Sequence, residues 1–136
     1  MNRGQSRRNI FIEDQGRQTF LDLLADITRL WKVKIHAYCL MDNHYHLLLS
    51  TPTGVLSRAM RHLDGIHTQK FNRVHHRDGP LFRGRYKAIL IDAEEYFLSV
   101  VRYIHKKPLG ARAVSDIDLY RWSSYWGYVN KKQCPH

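Results

Sequence analysis

Met41-Asp42-Asn43-His44-Tyr45-His46-Leu47-Leu48-Leu49-Ser50 places two histidines one residue apart inside a run that otherwise reads as a buried strand. Residues i and i+2 of a strand share a face. His44 and His46 therefore point the same way, about 6 to 7 Å apart along the backbone, with Tyr45, Leu47 and Leu49 on the other side. Two imidazoles side by side on a rigid support form a clamp for a cation. A lone histidine on a sheet is ordinarily a satisfied polar side chain, and a chain with nine histidines brings pairs to this spacing by chance. The pair gains meaning from Tyr103, carried on the flank of a downstream helix. Two metal-binding histidines and a tyrosine nucleophile point to phosphoryl transfer on DNA.

Immediately upstream, Val33 to Met41 alternates Val33, Ile35, Ala37 and Cys39 with Lys34, His36, Tyr38 and Leu40, the period of a strand. Asp42-Asn43 suits a tight turn, because both side chains tolerate left-handed backbone and bond their own main chain. The two strands therefore pair as an antiparallel hairpin. A two-residue turn sets His46 opposite Cys39 and His44 opposite Met41, and a slip of one residue would reverse the faces.

Further upstream, Arg3-Gly4 to Arg8 is basic and leads into the apolar stub Ile10-Phe11-Ile12. Asp14 opens a helix whose Phe20, Leu23, Leu24, Ile27, Leu30 and Trp31 form one apolar stripe. Downstream, Thr51-Pro52-Thr53-Gly54 ends the strand, and Leu56, Ala59, Met60, Leu63 and Ile66 start a second amphipathic helix that runs to about Arg73. Its outer face carries Arg58, Arg61, His62, Gln69, Lys70 and Arg73, nearly all basic. The loop 74–86 mixes glycine, aromatic rings and the cations Arg83 and Arg85, which suits phosphate binding and base stacking along a flexible single strand. Lys87 to Ile91 reads as a strand, and Asp92 with Glu95 as a capping box for a helix that ends before Pro108.

Phe97, Val100, Val101 and Ile104 make the buried stripe of that last helix. Tyr103 lies about 90° from the centre of this stripe, where its ring is supported and its hydroxyl can reach a ligand. Arg121 to Tyr128 is dense in aromatic residues and reads as a tail segment that packs back on the core, ahead of frayed last residues.

Composition narrows the partners. The 136 residues make one domain, 1–136, large enough for a core without staples. Lys and Arg number 22 against 12 for Asp and Glu, a formal +10 spread along the chain, so a polyanion is the expected partner. No apolar run approaches the ~18 to 20 residues of a membrane span, and the N-terminus does not lead into a signal-peptide core. Two cysteines, Cys39 and Cys134, form no disulfide framework, which points to a reduced, cytoplasmic protein. A weaker alternative groups Cys39 with His44 and His46 as a zinc site.

Four blocks in order carry a family resemblance: Tyr38-Cys39-Leu40-Met41-Asp42-Asn43 ahead of the His-x-His strand, Leu81-Phe82-Arg83-Gly84-Arg85-Tyr86-Lys87-Ala88, Arg102-Tyr103-Ile104-His105, and Trp122-Ser123-Ser124-Tyr125. With them the chain resembles the single-tyrosine HUH transposases, and among these most closely the REP-associated tyrosine transposases. The resemblance implies an α+β, ferredoxin-like antiparallel sheet with helices on one face and the catalytic helix approaching the histidines. Relatives begin with a further strand before the Arg-Gly matched by Arg3-Gly4, so it also implies a sheet lacking that first strand.

By the same resemblance, His44 and His46 match the metal pair for Mg²⁺ or Mn²⁺ and Tyr103 matches the nucleophile. The implied reaction cuts and rejoins single-stranded DNA bearing palindromic hairpins through a 5′-phosphotyrosine, by a monomer or homodimer. Arg58, Arg61, Lys70, Arg73, Arg83, Arg85 and Lys87 are the expected DNA contacts. Relatives place Asn or Gln four residues after the tyrosine to complete the metal site, where this chain has Lys107. Lys107 therefore joins the candidate catalytic residues, and a catalytically impaired module that still binds single-stranded DNA is the alternative function.

Overall fold

The computed structural model describes residues 1–52, 54–91, 96–110 and 120–125. Its frame is an antiparallel sheet of β1 (Asn2–Arg3), β2 (Lys34–Leu40) and β3 (His44–Ser50), in the order β1-β3-β2. The hairpin forms as the alternation requires, with Cys39 opposite His46 and the Met41 amide donating to the His44 carbonyl at 2.8 Å. A bulge between Ile35 and Ala37 interrupts the far end of the ladder. β1 covers only the start of β3, pairing Asn2 with Tyr45 and Arg3 with His44.

The alternation of β3 divides the core. Tyr45, fully buried, faces helices α1 (Asp14–Trp31) and α2 (Leu56–His75), with Phe20, Leu24, Ile27, Leu40, Met60 and Leu63 around it. Each such side chain removed from water contributes about 1.5–3 kcal/mol. The Tyr45 hydroxyl donates to Asp64 Oδ1 at 2.7 Å, and Asn2 Nδ2 donates to Oδ2 at 2.9 Å. Burial raises the Asp64 carboxyl above its ordinary range, against the lowering effect of these two bonds.

Ala37, Cys39, Met41 and Leu48 face the other way, against Val101 and Ile104 of α3 (Phe97–His105). Helices therefore cover both faces of the sheet, and α3 lies opposite α1 and α2, which corrects the expectation of helices on a single face. α3 also stops earlier than expected. Lys106 closes it, and a short α4 (Lys107–Gly110) takes Pro108 into its first turn, where the missing N–H costs nothing.

Other expectations change as well. Leu30 of the α1 stripe is half exposed, whereas α2 buries His67 and Phe71 beyond its expected stripe. Residues 87–91 form no strand. The stretch 81–87 instead flanks the first residues of the chain, where the Arg83 amide donates to the Arg3 carbonyl at 2.9 Å and the Lys87 amide to the Met1 carbonyl at 2.9 Å. Beyond Lys87 the ladder offers no described partner, and Ile89 and Leu90 stand exposed.

On the opposite edge, the Leu40 amide donates to the Trp122 carbonyl at 2.8 Å and the Ser124 amide to the Tyr38 carbonyl at 3.0 Å, so this part of the aromatic tail packs back on β2. Residues 126–128, the frayed terminus and the Asp92 and Glu95 capping box lie outside the described residues.

Candidate active site

The hairpin turn is held from three directions, and this sets His44. Gly4 donates its amide to the Asn43 carbonyl at 2.8 Å, Ile10 donates to the Asp42 carbonyl at 2.8 Å, and Arg17 of α1 reaches Asp42 Oδ1 at 2.7 Å. A Cβ on Gly4 would lie 2.1 Å from the Arg8 carbonyl oxygen, so only glycine fits after Arg3.

The two imidazoles stand on the α3 face of β3, with ring centres 5.1 Å apart. His44 Nδ1 lies 2.7 Å from Asn43 Oδ1, an acceptor, so Nδ1 carries the proton and Nε2 keeps its lone pair. Burial lowers the His44 pKa first, then the charges of Arg3 and Lys107. His46 is pushed down to about 3 by burial, then by His44 and Lys107. Both rings are neutral donors near neutral pH, which fits a divalent cation that draws its remaining ligands from oxygen.

Tyr103 comes to this pair from α3. Its ring centre is 6.3 Å from that of His46, edge to face, and 58% of its surface is exposed. Lys107, the first residue of α4 and two past the end of α3, brings Nζ to 4.1 Å from the centre of the Tyr103 ring. The four residues singled out from the sequence thus share one face of the sheet. Cys39 does not join them as a ligand. It lies opposite His46 but is fully buried, its thiol contacts Met41 Sδ at 3.6 Å, and burial pushes it up to about 12. Among the described residues no three His, Cys, Asp or Glu side chains converge as a metal group.

The family described as transposase IS200-like matches residues 1–107, which include both histidines, Tyr103 and Lys107. The chain belongs to the IS200-like transposases. Among solved structures it is similar to a REP-associated tyrosine transposase bound to a REP hairpin, with a TM-score of 0.78 over 98% of this chain and 78% of that one. At 17% identity this likeness establishes the fold, and with it the α+β architecture read from the sequence. No curated protein matches the sequence.

The fold of this IS200-like transposase separates the expected DNA-binding cations into two groups. Arg58, Arg61, Lys70 and Arg73 are exposed on α2, across the sheet from the histidines. Arg83, Arg85 and Lys87 lie on the stretch beside β1, where Arg85 bonds Ser57 Oγ at 2.9 Å and stacks on Tyr86 at 5.6 Å. Arg3 was not among the sequence candidates, yet it pairs with His44 across the ladder and its charge reaches both imidazoles. Only its place in an Arg-Gly block hinted at this. No described helix is long and apolar enough to cross a membrane.

Proposed function

We propose that this transposase nicks and rejoins single-stranded DNA, with Tyr103 as nucleophile and His44 and His46 as the paired imidazoles of the site. The observation that carries this reading is the meeting of the half-exposed Tyr103 ring with His46 at 6.3 Å on one face of the sheet. The Tyr103 oxygen attacks the scissile phosphorus in line as its proton departs. The bond from phosphorus to the 3′-oxygen breaks, and that oxygen leaves as a 3′-hydroxyl. The products are a 5′-phosphotyrosine and a free 3′ end, and a second 3′-hydroxyl reverses the step to join strands.

His44 and His46 would hold Mg²⁺ or Mn²⁺, which when bound supplies Lewis-acid polarisation of the phosphate. Lys107 places a positive charge beside the attacking ring, where it attracts the phosphate and holds it in reach. Arg3, Arg83 and Arg85 supply further charge along the sheet edge. The solved relative is bound to a REP hairpin, which supports a single strand carrying a hairpin as the substrate class here.

A second reading, a binding module of the same fold without cleavage, is favoured by one observation. Lys107 occupies the position beside Tyr103 with an ammonium, which has no lone pair to offer a metal. One experiment decides between them. Hairpin-tipped single-stranded DNA, labelled at its 3′ end, is incubated with the protein and Mn²⁺ and run on a denaturing gel. Label migrating with the protein supports nicking. Tight binding with no covalent label leaves the binding module.

A further inference from the structure

A groove of about 520 Å³ lies between the end of α1 and the outer face of α2, lined by Trp31, Arg58, Arg61, His62, Gly65, Ile66 and Gln69. We infer that this groove is a second DNA site, which takes an unpaired nucleotide of single-stranded DNA on the side of the sheet away from Tyr103. The inference rests on the reading of the protein as acting on single-stranded DNA.

The lining is one helical stripe. Residues 58, 61, 62, 65 and 69 recur at three and four, so they share a surface of α2, and Trp31 walls it from the last turn of α1. Two features of this stripe match a nucleotide. It carries two guanidinium groups and no acidic residue, and neither Arg58 nor Arg61 makes an ion pair among the described residues. It also offers an indole, with the His62 ring set edge-on at 6.5 Å. Guanidinium fits phosphate, and an aromatic face stacks a base of any sequence. A duplex hides its base faces, so the indole selects an unpaired strand.

Gly65 is the independent observation. Glycine inside a helix is destabilising relative to alanine. A Cβ at Gly65 would meet nothing within 4 Å, so no packing requires the glycine. What its missing side chain does is leave the floor of the groove open at its centre.

His44 and His46 point from the opposite face of the sheet, so a strand cannot lie flat across both sites. The groove would therefore grip flanking strand away from the scissile phosphate. Such a grip keeps a nicked strand bound without reading its sequence.

The test is the affinity of the full chain for fluorescein-labelled oligothymidylate, read by anisotropy with EDTA present so that no cleavage intervenes. Gly65→Leu fills the groove without changing charge and is expected to weaken binding about 5- to 10-fold, the loss of one stacked base. Its thermal midpoint is expected to equal or exceed that of the wild type, because leucine is the better helix former. Arg58→Gln with Arg61→Gln is expected to lower the salt slope by about 1.4, two single-strand phosphate contacts.

Wild-type affinity in Gly65→Leu would overturn the groove, and so would an equal loss for a duplex of the same length. The covalent-label experiment is scored separately. Adduct formation with unaltered Gly65→Leu binding sinks the groove alone, whereas weakened Gly65→Leu binding without any adduct sinks nicking alone.

Discussion

The ammonium of Lys107 sits over the Tyr103 ring, 4.1 Å from its centre, although the two residues belong to different helices. The same charge contributes to lowering both imidazoles, so its positive potential covers the place where a cation would sit. Even with bulk-water screening, a single charge ~6 Å from a divalent ion costs about 1.4 kcal/mol, roughly tenfold in affinity. Lys107→Asn removes this repulsion and adds an oxygen donor. Cleavage rate measured against Mn²⁺ concentration should therefore reach half-maximum at about tenfold lower Mn²⁺ in the variant. Superimposable curves would place the ammonium away from the site in solution.

Tyr103→Phe deletes one oxygen and leaves the ring that packs near His46. The covalent adduct should disappear while hairpin affinity stays within about twofold, since a solvated hydroxyl contributes little to binding. His44→Ala and His46→Ala should also lose cleavage, through the lost metal ligands, and excess Mn²⁺ should restore part of it in the single variants and none in the double variant. An adduct that persists in Tyr103→Phe would move the nucleophile to another residue, with the exposed Tyr96, the N-cap of the same helix, as the first to change.

The sequence revealed the hairpin because two local signals agree there, the period-two alternation and the Asp42-Asn43 turn. It revealed α1 and α2 through their apolar stripes. Periodicity shows that a helix buries one face but not which side of the sheet receives it, so the position of α3 opposite α1 and α2 was out of reach. Lys87 to Ile91 has the composition of a strand, but a strand needs a partner, and among the described residues only Lys87 finds one. The reverse holds for β1 and for Trp122 to Ser124, which pair by register alone with no alternation to show it. Arg3 and the Trp31 groove were missed for the same reason, because they are made by tertiary contacts between segments far apart in the chain.

Removing charge beside β1 tests whether this edge carries DNA. Arg83 is exposed, so Arg83→Ala should weaken hairpin binding and lower the dependence of log affinity on log salt by about 0.7, one phosphate contact. Arg85 is bonded to Ser57 and stacked on Tyr86, so its guanidinium is already oriented. Its loss should therefore cost more affinity than that of Arg83 for the same change in slope. Titrations at several salt concentrations give both quantities, and an unchanged slope in both variants would clear this edge of phosphate contacts.

His67 should make the fold sensitive to mild acid. It is 2% exposed, with the rings of Phe11, Phe20, Phe71 and Phe82 centred 5.1, 5.2, 6.3 and 6.2 Å from its own. Nε2 donates to the Ile10 carbonyl at 2.8 Å, and Nδ1 is buried without a partner among the described residues. Burial lowers its pKa below the ordinary 6.5, although the Ile10 bond opposes this. The unfolded chain thus takes up a proton that the folded chain refuses. The stabilisation from a neutral His67 is fully present above pH 6.5 and is lost as pH falls toward the folded pKa, by up to about 1.4 kcal/mol per pH unit. His67→Gln keeps a donor for Ile10 and cannot titrate. Urea unfolding at pH 7.5 and 5.5 should show a large loss of stability in the wild type and a smaller one in the variant. The remainder belongs to His44, His46 and His105, which are lowered in the same direction. Equal losses in the two proteins would mean that water reaches Nδ1 and that the phenylalanine cage is open.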